Sequence, residues 1–459
     1  MTWGGVALLV GVAVLAGCTT PVANVAPSPS ATEPACGSFA SYPRAPGTTV
    51  TFLVSQDMQP ATPLQTTWAD FSRCTGIRIV NEVDLGSVDD FHARIDGGDA
   101  PDLTVLPQPG AVADLVHREQ RLGGHPLVPQ PSAVSDSIDR YWNPTWKAYG
   151  TVDHTLYGAP WDANSKSLVW YSPRRFQAAG YSVPRTWDEL MSLSDRIARG
   201  TAKPWCGGLQ SGTATGWPAT DWLEEIVLGT YGGALYDDWA AGKVPFDSPQ
   251  IRSAMRVLEH WMRNPVYVNG GVGDVASMAR TSFADGGRTV LDGTCFMYPF
   301  PTFYAYQWSL FKPDVTIGPQ GDVYAFALPP ITPGIASPVV GGGDFLVAFS
   351  DRPEVQEAEA YLTSPDWAIR RAKLGGGWVT ANRGVPITTY SDPIVRLSAQ
   401  MLTSSASTFR FDGSDLMPDA VQNAEWKQLT AWFAEATPTR DVLQAIDAAW
   451  PPKGGTPAP

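Results

Sequence analysis

The chain has 459 residues and a formal net charge of −13, with 45 acidic and 32 basic residues. This length exceeds what one hydrophobic core supports, so we expect two or three structural units. The acidic balance argues against a nucleic-acid partner, because phosphates require a face rich in lysine and arginine. It also disfavours an anionic small ligand, unless a local arginine compensates. The 18 tryptophans, many beside glycine, proline or aspartate, favour a ligand with flat apolar faces, such as a sugar.

The first residues predict an export signal and a lipid anchor. The apolar run at residues 6–16 is typical of a signal-peptide core and is too short to span a bilayer; a buried N-terminal helix is the alternative. It ends in Leu15-Ala-Gly-Cys18, which resembles a bacterial lipobox. Residues 1–17 would then be removed and Cys18 lipidated, which anchors the protein at the extracellular face of the cytoplasmic membrane. No lysine or arginine precedes the run, so either the α-amino group supplies the positive charge or the native start lies upstream.

Residues 18–47 are rich in proline, serine, alanine and threonine, which predicts a solvated tether. A tether of this kind would hold the folded part away from the membrane. That arrangement suits the capture of a solute and its delivery to a membrane partner.

After the tether, the chain alternates between predicted strands and helices. The predicted strands are 49–54, 77–83 and 103–106, and the predicted helices between them are 63–74 and 88–95. This alternation predicts a mainly parallel sheet with helices on both faces, and ligands of such sheets bind at the carboxyl ends of the strands. The polar residues that follow the three strands, each of which could also be an ordinary loop residue, are Gln56, Asp57, Asp84 and Gln108.

The stretch 156–171 predicts a crossing between two lobes. A glycine–proline break separates a polar loop from the apolar run 168–171, which we interpret as a buried strand. Polar side chains in this loop, Asp162, Asn164 and Lys166, would lie at the mouth of an interlobe cleft, where small molecules often bind. An ordinary loop leading into a strand is the alternative.

The second lobe is predicted to begin after this crossing. Thr186 and Glu189 form a capping box that starts a helix, and Ser248 is the N-cap of another. Further strands are predicted at 205–210, 289–291 and 295–298. The loop between the first of these strands and an apolar helix carries Trp217, Asp221 and Trp222.

A glycine-rich turn near the start of the last third predicts a return to the first sheet. The apolar segment 339–349 contains three glycines and Asp344, and helices are predicted after it at 353–362 and 365–374. A second glycine run then leads to Trp378 and Arg383. The remaining helices are predicted at 421–434 and 440–450, the last with Thr439 as its N-cap.

Export would place the other cysteines in an oxidising compartment where disulfides persist. If the members of each pair lie in one lobe, Cys36 pairs with Cys74, and Cys206 with Cys295. A bond between the lobes would instead hold the cleft shut. No CxxC spacing exists, so a zinc or redox site is a weak alternative.

The sequence lacks the usual enzyme motifs. It contains no GxSxG, no HExxH and no P-loop, and the fit of 271–276 to a dinucleotide motif is loose. We therefore expect no catalytic residues, no cofactor and no metal. A secreted glycoside hydrolase is the enzyme alternative, because two suitably spaced carboxylates would suffice for it. Its candidate acids are Asp57, Asp84, Asp162, Asp221 and Asp344.

The order of these pieces resembles the extracellular solute-binding proteins of carbohydrate ABC importers. The matching segments are the lipobox, Ser55-Gln-Asp57, Pro101-Asp-Leu-Thr-Val-Leu-Pro-Gln108, Gly158-Ala-Pro-Trp-Asp162, Thr186-Trp-Asp-Glu-Leu190 and Gly341-Gly-Gly-Asp344. Similarity to the α-glucoside-type branch is carried by Gly216-Trp-Pro-Ala-Thr-Asp-Trp222, Gly375-Gly-Gly-Trp378 and Phe411-Asp-Gly-Ser-Asp-Leu-Met-Pro418.

The resemblance implies an α/β fold of the type II periplasmic-binding-protein class, with a ligand cleft between two lobes and several hinge crossings. Lobe one would comprise 48–162 and 341–387, and lobe two 163–340 and 388–452. The lobes would close on an α-glucoside such as maltose, trehalose or sucrose, and the closed monomer would dock on an ABC permease without catalysis. A polyol- or phosphoglycerol-binding receptor is a further alternative.

The resemblance also implies roles for single residues. Asp57 would accept sugar hydroxyls, Gln108 and Asn164 would contact the ligand, and Tyr298 and Trp426 would stack on it. Packing in the core is the alternative for both aromatic residues. The other residues that we place in the binding site are Gln56, Asp84, Asp162, Trp217, Asp221, Trp222, Asp344, Trp378 and Arg383. For some of these a structural role is the alternative: core packing for Trp217 and Trp222, an N-cap for Asp221 and a salt bridge for Arg383.

Overall fold

The three strands at the start of the folded part lie side by side, as the alternating pattern predicts. The computed structural model describes residues 36–55, 64–84, 88–123, 127–435 and 437–451. The strands are β1 (Thr49–Ser55), β2 (Arg78–Asp84), β3 (Leu103–Leu106), β4 (Thr151–Val152), β5 (Thr155–Leu156), β6 (Ala159–Pro160), β7 (Asn164–Ser165), β8 (Leu168–Tyr171), β9 (Lys203–Cys206), β10 (Val268–Asn269), β11 (Cys295–Pro299), β12 (Tyr324–Ala327), β13 (Pro338–Gly342), β14 (Phe345–Ala348) and β15 (Thr408–Phe411).

Helices separate most of these strands. They are α1 (Ala69–Thr75), α2 (Val88–Asp96), α3 (Pro109–Leu122), α4 (Ser132–Tyr141), α5 (Pro144–Tyr149), α6 (Pro173–Ala179), α7 (Trp187–Ala198), α8 (Trp217–Tyr231), α9 (Gly233–Ala240), α10 (Pro249–Met262), α11 (Phe283–Gly286), α12 (Thr289–Asp292), α13 (Ala305–Phe311), α14 (Pro353–Leu362), α15 (Pro365–Lys373), α16 (Pro393–Thr403), α17 (Asp419–Glu435) and α18 (Thr439–Asp447).

Two five-stranded sheets form the centres of two lobes. The first has the order β2-β1-β3-β14-β6, in which β1 is parallel to β2 and β3, and β14 is antiparallel to β3 and β6. The second has the order β10-β9-β11-β8-β12, with β9 parallel to β10 and β11 and with β8 antiparallel to β11 and β12. Both sheets are therefore mixed, and their antiparallel strands are those next to the crossings.

A three-stranded sheet, β15-β13-β7, carries the chain between the lobes. β7 lies in the sequence between β6 of the first sheet and β8 of the second, and β13 lies between β12 of the second and β14 of the first. The return to the first sheet predicted for 339–349 is confirmed, because β14 pairs with β3. We call this three-stranded sheet the hinge sheet.

Helix caps fix several boundaries where the sequence predicts them. The Thr186 hydroxyl accepts from the Glu189 backbone N–H at 3.2 Å, and the Glu189 carboxylate accepts from the backbone N–H of Arg185 at 2.7 Å. The Ser248 hydroxyl accepts from the backbone N–H of Ile251 at the start of α10. Such caps satisfy backbone donors that have no partner inside the helix.

Several boundary predictions are wrong. Residues 289–291 belong to helix α12 and not to a strand, because Gly293 adopts a φ of +82° and ends a single helical turn there. The strand predicted at 205–210 is shorter and earlier, at β9. The N-cap of α18 is Pro438 and not Thr439.

The predicted tether is also too long at its end. Phe39 is buried, and its ring lies 5.4 Å from Tyr361 and 6.2 Å from Phe71. The Ala45 backbone N–H donates to the Thr75 carbonyl at 2.8 Å. Residues 39–47 therefore pack on the first lobe, because Phe39 supplies an apolar anchor within a proline- and serine-rich composition.

The predicted Cys206–Cys295 disulfide is present and joins β9 to β11, with the two Cα atoms 5.5 Å apart. Cys36 and Cys74 are each disulfide-bonded as well. Among the residues that the structure describes, no helix has both the length and the apolar character needed to cross a membrane.

Candidate functional site

Lys166 lies at the centre of a buried ionic network beside the hinge sheet. It follows β7, and its backbone N–H donates to the Val340 carbonyl of β13 at 2.8 Å. Its ammonium donates to Asp221 Oδ1 at 2.9 Å and also to Asp412 Oδ2. The Lys166 side chain is only 10% exposed, so the ion pair is largely shielded from water.

Carboxyl groups from three segments surround this ammonium. Asp221, Glu224 and Glu225 lie on α8, Asp412 and Asp415 directly follow β15, and Glu425 lies on α17. The spacing of the three α8 residues places them on one side of the helix, facing the hinge sheet. We call Lys166 and these carboxyl groups, Asp221, Glu224, Glu225, Asp412, Asp415 and Glu425, the lysine cluster.

Burial and neighbouring charges raise the pKa of most of these carboxyl groups, including Asp221 and Glu224. Burial raises the pKa of Glu425 well above its usual value, and the charges of Asp412 and Asp221 raise it further. Burial raises the pKa of Glu225 to about 8, and burial with the charge of Asp412 raises the pKa of Asp415 to about 8. Asp412 is the exception, because hydrogen bonding and the charge of Lys166 outweigh its burial and hold its pKa at about 2.

Three acids of the lysine cluster lie as close together as the ligands of a metal ion would. Carboxylate oxygens of Asp221, Glu224 and Asp412 lie within 4.8 Å of one another. However, Lys166 already donates to two of these groups, and Glu224 accepts from the backbone N–H groups of Gly413 and Ser414 at 2.9 and 3.0 Å. These carboxyl groups therefore already accept hydrogen bonds from the protein. The expectation that the protein needs no metal stays a prediction.

Asp415 connects the lysine cluster to the first lobe. Its Oδ1 accepts from the Gln108 amide at 2.7 Å and from the Gln422 amide at 2.8 Å. Gln108 follows β3 of the first sheet, whereas Gln422 lies on α17. Asp415 Oδ2 accepts no hydrogen bond from the residues that the structure describes. One oxygen of this carboxyl group is therefore held by an amide that follows β3 and by an amide of α17.

Two half-buried tryptophans lie on helices that also carry acids of the lysine cluster. Trp217 begins α8, and the Lys166 ammonium lies 5.4 Å from the centroid of its ring. Its other ring neighbours include Phe300 at 5.0 Å and the exposed Phe303 at 6.0 Å. Trp426 follows Glu425 on α17, and its indole N–H has no partner within the described residues. Both rings have the shape and partial exposure that stacking on a pyranose requires.

A second acid group lies across the first crossing. The Asp344 backbone N–H donates to Asp162 Oδ1 at 2.8 Å. Burial raises the pKa of both carboxyl groups, and Asp162 raises the pKa of Asp344 further. Arg371 lies 5.4 Å from the ring centroid of Trp378 and donates to the Gly375 carbonyl at 3.0 Å. We call Asp162 and Asp344 the aspartate pair.

The structure places several other predicted residues in structural roles. Trp222 and Tyr298 are 2% and 0% exposed, and they donate to the carbonyls of Pro299 and Phe283. Both lie in the core of the second lobe. Arg383 donates to the carbonyls of Tyr141 and Trp142 rather than to an acid.

Other predicted residues lie at the hinge or outside the described structure. Asn164 lies in β7, and its buried Oδ1 has no partner within the described residues. Asp84 ends β2, where only its backbone is described. Gln56, Asp57 and Cys18 lie outside the described residues.

Sequence reasoning missed several members of the lysine cluster. Glu224, Glu225 and Glu425 were not predicted, and Asp412 and Asp415 were not placed in the binding site. One signal was available, because Asp221, Glu224 and Glu225 share one side of a helix whose remaining residues are mostly apolar. Acids inside an apolar helix usually have a partner or a function.

Known proteins share both sequence and fold with this chain. A family model described as "Bacterial extracellular solute-binding protein" matches residues 56–369. The osmoprotective compounds-binding protein GgtB of Synechocystis sp. is 35% identical over 392 residues, which cover 83% of this chain and 88% of that protein. The alpha-glucosides-binding periplasmic protein AglE of Rhizobium meliloti is 32% identical over 403 residues, covering 83% and 82%.

Solved structures with lower identity share the fold. RafE from Streptococcus pneumoniae has a TM-score of 0.68 at 17% identity, covering 89% of this chain and 98% of RafE. Maltose-bound MalE3 of T. maritima has a TM-score of 0.60 at 20% identity, covering 87% and 98%. The two-lobe α/β fold expected from the sequence is therefore confirmed.

Proposed function

The chain belongs to the bacterial extracellular solute-binding protein family, and we propose that it is the receptor of an ABC importer for an α-glucoside. The observation that carries this proposal is the Gln108–Asp415–Gln422 group, in the same cluster as the Lys166 ammonium that faces the Trp217 ring. Amide and carboxyl groups suit sugar hydroxyls, and indole rings suit the apolar faces of a pyranose. The name of one relative refers to α-glucosides, which supports the same class of ligand.

The ligand closes the cleft by binding groups from both lobes. Gln108 belongs to the part of the chain assigned to lobe one, residues 48–162 and 341–387. Trp217 and Gln422 belong to lobe two, residues 163–340 and 388–452. A ligand that makes contacts available only in the closed state shifts the population towards that state. In the closed form the monomer docks on the transmembrane subunits of the importer.

We further propose that the receptor is anchored to the membrane and leaves its ligand chemically unchanged. Lipidation of Cys18 anchors the receptor at the extracellular face of the membrane, and residues 18–38 act as its tether. The receptor binds and releases its sugar without chemical change.

A ligand screen tests the binding function. Protein purified from residue 36 onward is melted with maltose, trehalose, sucrose and raffinose. A ligand present at 100 times its dissociation constant adds about 2.7 kcal/mol of stability, which raises the Tm by a few degrees. Chromatography of the recovered sugar then distinguishes a receptor from a glycoside hydrolase. The absence of a Tm shift with every sugar would contradict the proposal.

A matched pair of variants places the site. Gln108→Ala removes one amide of the Asp415 group, so we expect it to weaken sugar binding by about tenfold. Gln320→Ala removes the same side chain from an exposed loop residue and should leave the affinity unchanged. Equal affinity in the two variants would place the sugar elsewhere.

A further inference from the structure

We propose that Ser167 and Glu225 are positioning residues, which hold the hinge-sheet strands β7 and β13 in one fixed orientation on helix α8. The inference rests on the proposed function, because α8 begins at Trp217, the ring proposed to stack on the sugar. It concerns two buried side chains and not the groups proposed to contact the ligand.

The Ser167 hydroxyl joins two passages of the chain between the sheets. Ser167 follows β7, and its Oγ accepts from the backbone N–H of Val340 in β13 at 2.8 Å. The Lys166 backbone N–H donates to the carbonyl of the same Val340, also at 2.8 Å. Both backbone groups of Val340 therefore have partners at the point where the chain leaves the hinge sheet for the second sheet.

The same hydroxyl is anchored to α8. Ser167 Oγ donates to Glu225 Oε1 at 2.6 Å, and the Ser167 carbonyl accepts from the Leu328 backbone N–H at 3.0 Å. Leu328 directly follows β12 of the second sheet. Ser167 therefore bonds to the hinge sheet, to α8 and to the segment that returns from the second sheet.

Two successive residues of the chain bond to one side of α8. Lys166 donates to Asp221 at 2.9 Å, and Ser167 donates to Glu225. Asp221 and Glu225 are four positions apart, so they lie about one helical turn apart on the same side of the helix. Two contacts one turn apart fix the rotation of α8 relative to the hinge sheet as well as its distance, which a single contact would not do.

Burial makes the Ser167 hydroxyl hard to replace. Ser167, Glu225 and Val340 are 1%, 4% and 0% exposed. Without the hydroxyl, the Val340 N–H loses its acceptor and the Glu225 carboxyl group loses its donor. The strands then gain arrangements relative to α8 in which groups from both lobes do not meet the sugar. The apparent Kd rises by the inverse of the fraction of molecules that stays competent to bind.

The test compares Ser167→Ala with Ser194→Ala in the protein used for the ligand screen. Ser194 is 0% exposed, and its hydroxyl donates to the Leu190 carbonyl and accepts from the Trp205 indole N–H. Both variants should lower the Tm. Calorimetric titration should show a Kd for the bound sugar that is raised about tenfold in Ser167→Ala alone. Wild-type affinity in Ser167→Ala, or an equal loss in both variants, would overturn the inference.

Variants of Glu225 separate positioning from the filling of space. Glu225→Gln keeps an oxygen that accepts from Ser167, so it should keep the wild-type Kd. Glu225→Met fills a similar volume without an acceptor and should raise the Kd about fivefold. If the two variants bound the sugar equally well, the hydrogen bond from Ser167 would have no part in positioning α8, and the inference would fail.

Hydrogen exchange of the unliganded protein gives a measurement that does not depend on any sugar. In Ser167→Ala the amides of β13, that of Val340 above all, should exchange about tenfold faster than in the wild type. Ser194→Ala should leave them unchanged. Wild-type exchange of β13 in Ser167→Ala would overturn the inference. If the wild type binds none of the sugars while exchange changes as expected, the proposed function fails and the attachment of the strands to α8 stands.

Discussion

The lysine cluster and the aspartate pair contain the same kinds of groups in different arrangements. Each has buried carboxyl groups and a cation whose charged group lies 5.4 Å from the centroid of a tryptophan ring. In the lysine cluster the cation touches carboxylates, at Asp221 and Asp412. Beside the aspartate pair, Arg371 donates to the backbone carbonyl of Gly375. The two aspartates contact each other, because the Asp344 backbone N–H donates to the Asp162 carboxyl group.

Contact with Lys166 alone does not decide which carboxyl group keeps its charge, because Asp221 also bonds to Lys166 and burial raises the pKa of Asp221 well above its usual value. Asp412, which bonds to Lys166, has its pKa held at about 2, whereas burial raises the pKa of both Asp162 and Asp344. Arg371 itself has its pKa lowered to about 10 by burial, with only partial compensation from Asp162. Asp412 also accepts hydrogen bonds from the Ser414 hydroxyl and from the Asp415 backbone N–H, so these donors together with Lys166 keep its pKa low.

Removal of the central cation should have the largest effect. Lys166→Met leaves Asp412 buried without a counter-charge, so we expect the free energy of unfolding to fall by about 3–5 kcal/mol. Urea denaturation at pH 7 measures this. Lys243→Met removes a lysine that is 72% exposed and paired with Asp238, and should cost less than about 1 kcal/mol. Similar losses in the two variants would contradict the assignment of Lys166 as a buried partner.

The second largest effect that we expect is the pH dependence of the free energy of unfolding. Glu225 has a folded-state pKa of about 8. Between the ordinary carboxyl pKa and pH 8, its side chain is therefore protonated in the folded state and ionised in the unfolded state. The free energy of unfolding is therefore highest below the ordinary carboxyl pKa. It falls as the pH rises towards 8, with a slope of up to about 1.4 kcal/mol per pH unit. Glu225→Gln should flatten the decline between pH 5 and pH 8.

The control for this pH series is an exposed glutamate. Glu259→Gln changes a residue that is 52% exposed and should leave the slope as in the wild type. Urea midpoints at half-unit pH steps give both slopes. A wild-type stability that is flat or rises over this range would contradict the protonated state of Glu225.

Local sequence predicted much of the fold and less of the site. Strands 103–106 and 168–171 and helix 353–362 have the predicted bounds, because apolar runs and a proline at the first helical position define them locally. Gln108, Trp217 and Asp221 were predicted separately, and the structure brings them into one region. Glu425 joins them because α17 packs against α8, and Asp415 because β15, which precedes it, pairs with β13 in the hinge sheet. Neither contact has a local sequence signal.

Neutralisation of one aspartate of the pair should have a smaller effect. Asp344→Asn removes a carboxyl group whose ionisation is opposed by burial and by Asp162. Because the folded-state pKa of Asp344 is raised, the cost of this residue to the free energy of unfolding grows as the pH rises above the ordinary carboxyl pKa. We expect a gain of about 1 kcal/mol at pH 8 and little change at pH 5. Thermal melts at both pH values test this, with the exposed Asp351→Asn as control; a loss at pH 8 would mean that the Asp344 carboxylate is needed in ionised form.

The contact between Lys166 and Trp217 should contribute least to stability. Trp217→Phe keeps an aromatic face but weakens its attraction for the ammonium, so we expect a loss of about 0.5 kcal/mol beyond the change in packing. Trp187→Phe gives the packing change alone, because that half-buried tryptophan packs edge-on against Trp261 at 5.4 Å. In a double-mutant cycle with Lys166→Met, Trp217 should couple to Lys166 and Trp187 should not. Equal coupling would mean that Trp217 is held by its aromatic neighbours alone, so that the cation does not position the ring on which the proposed sugar stacks.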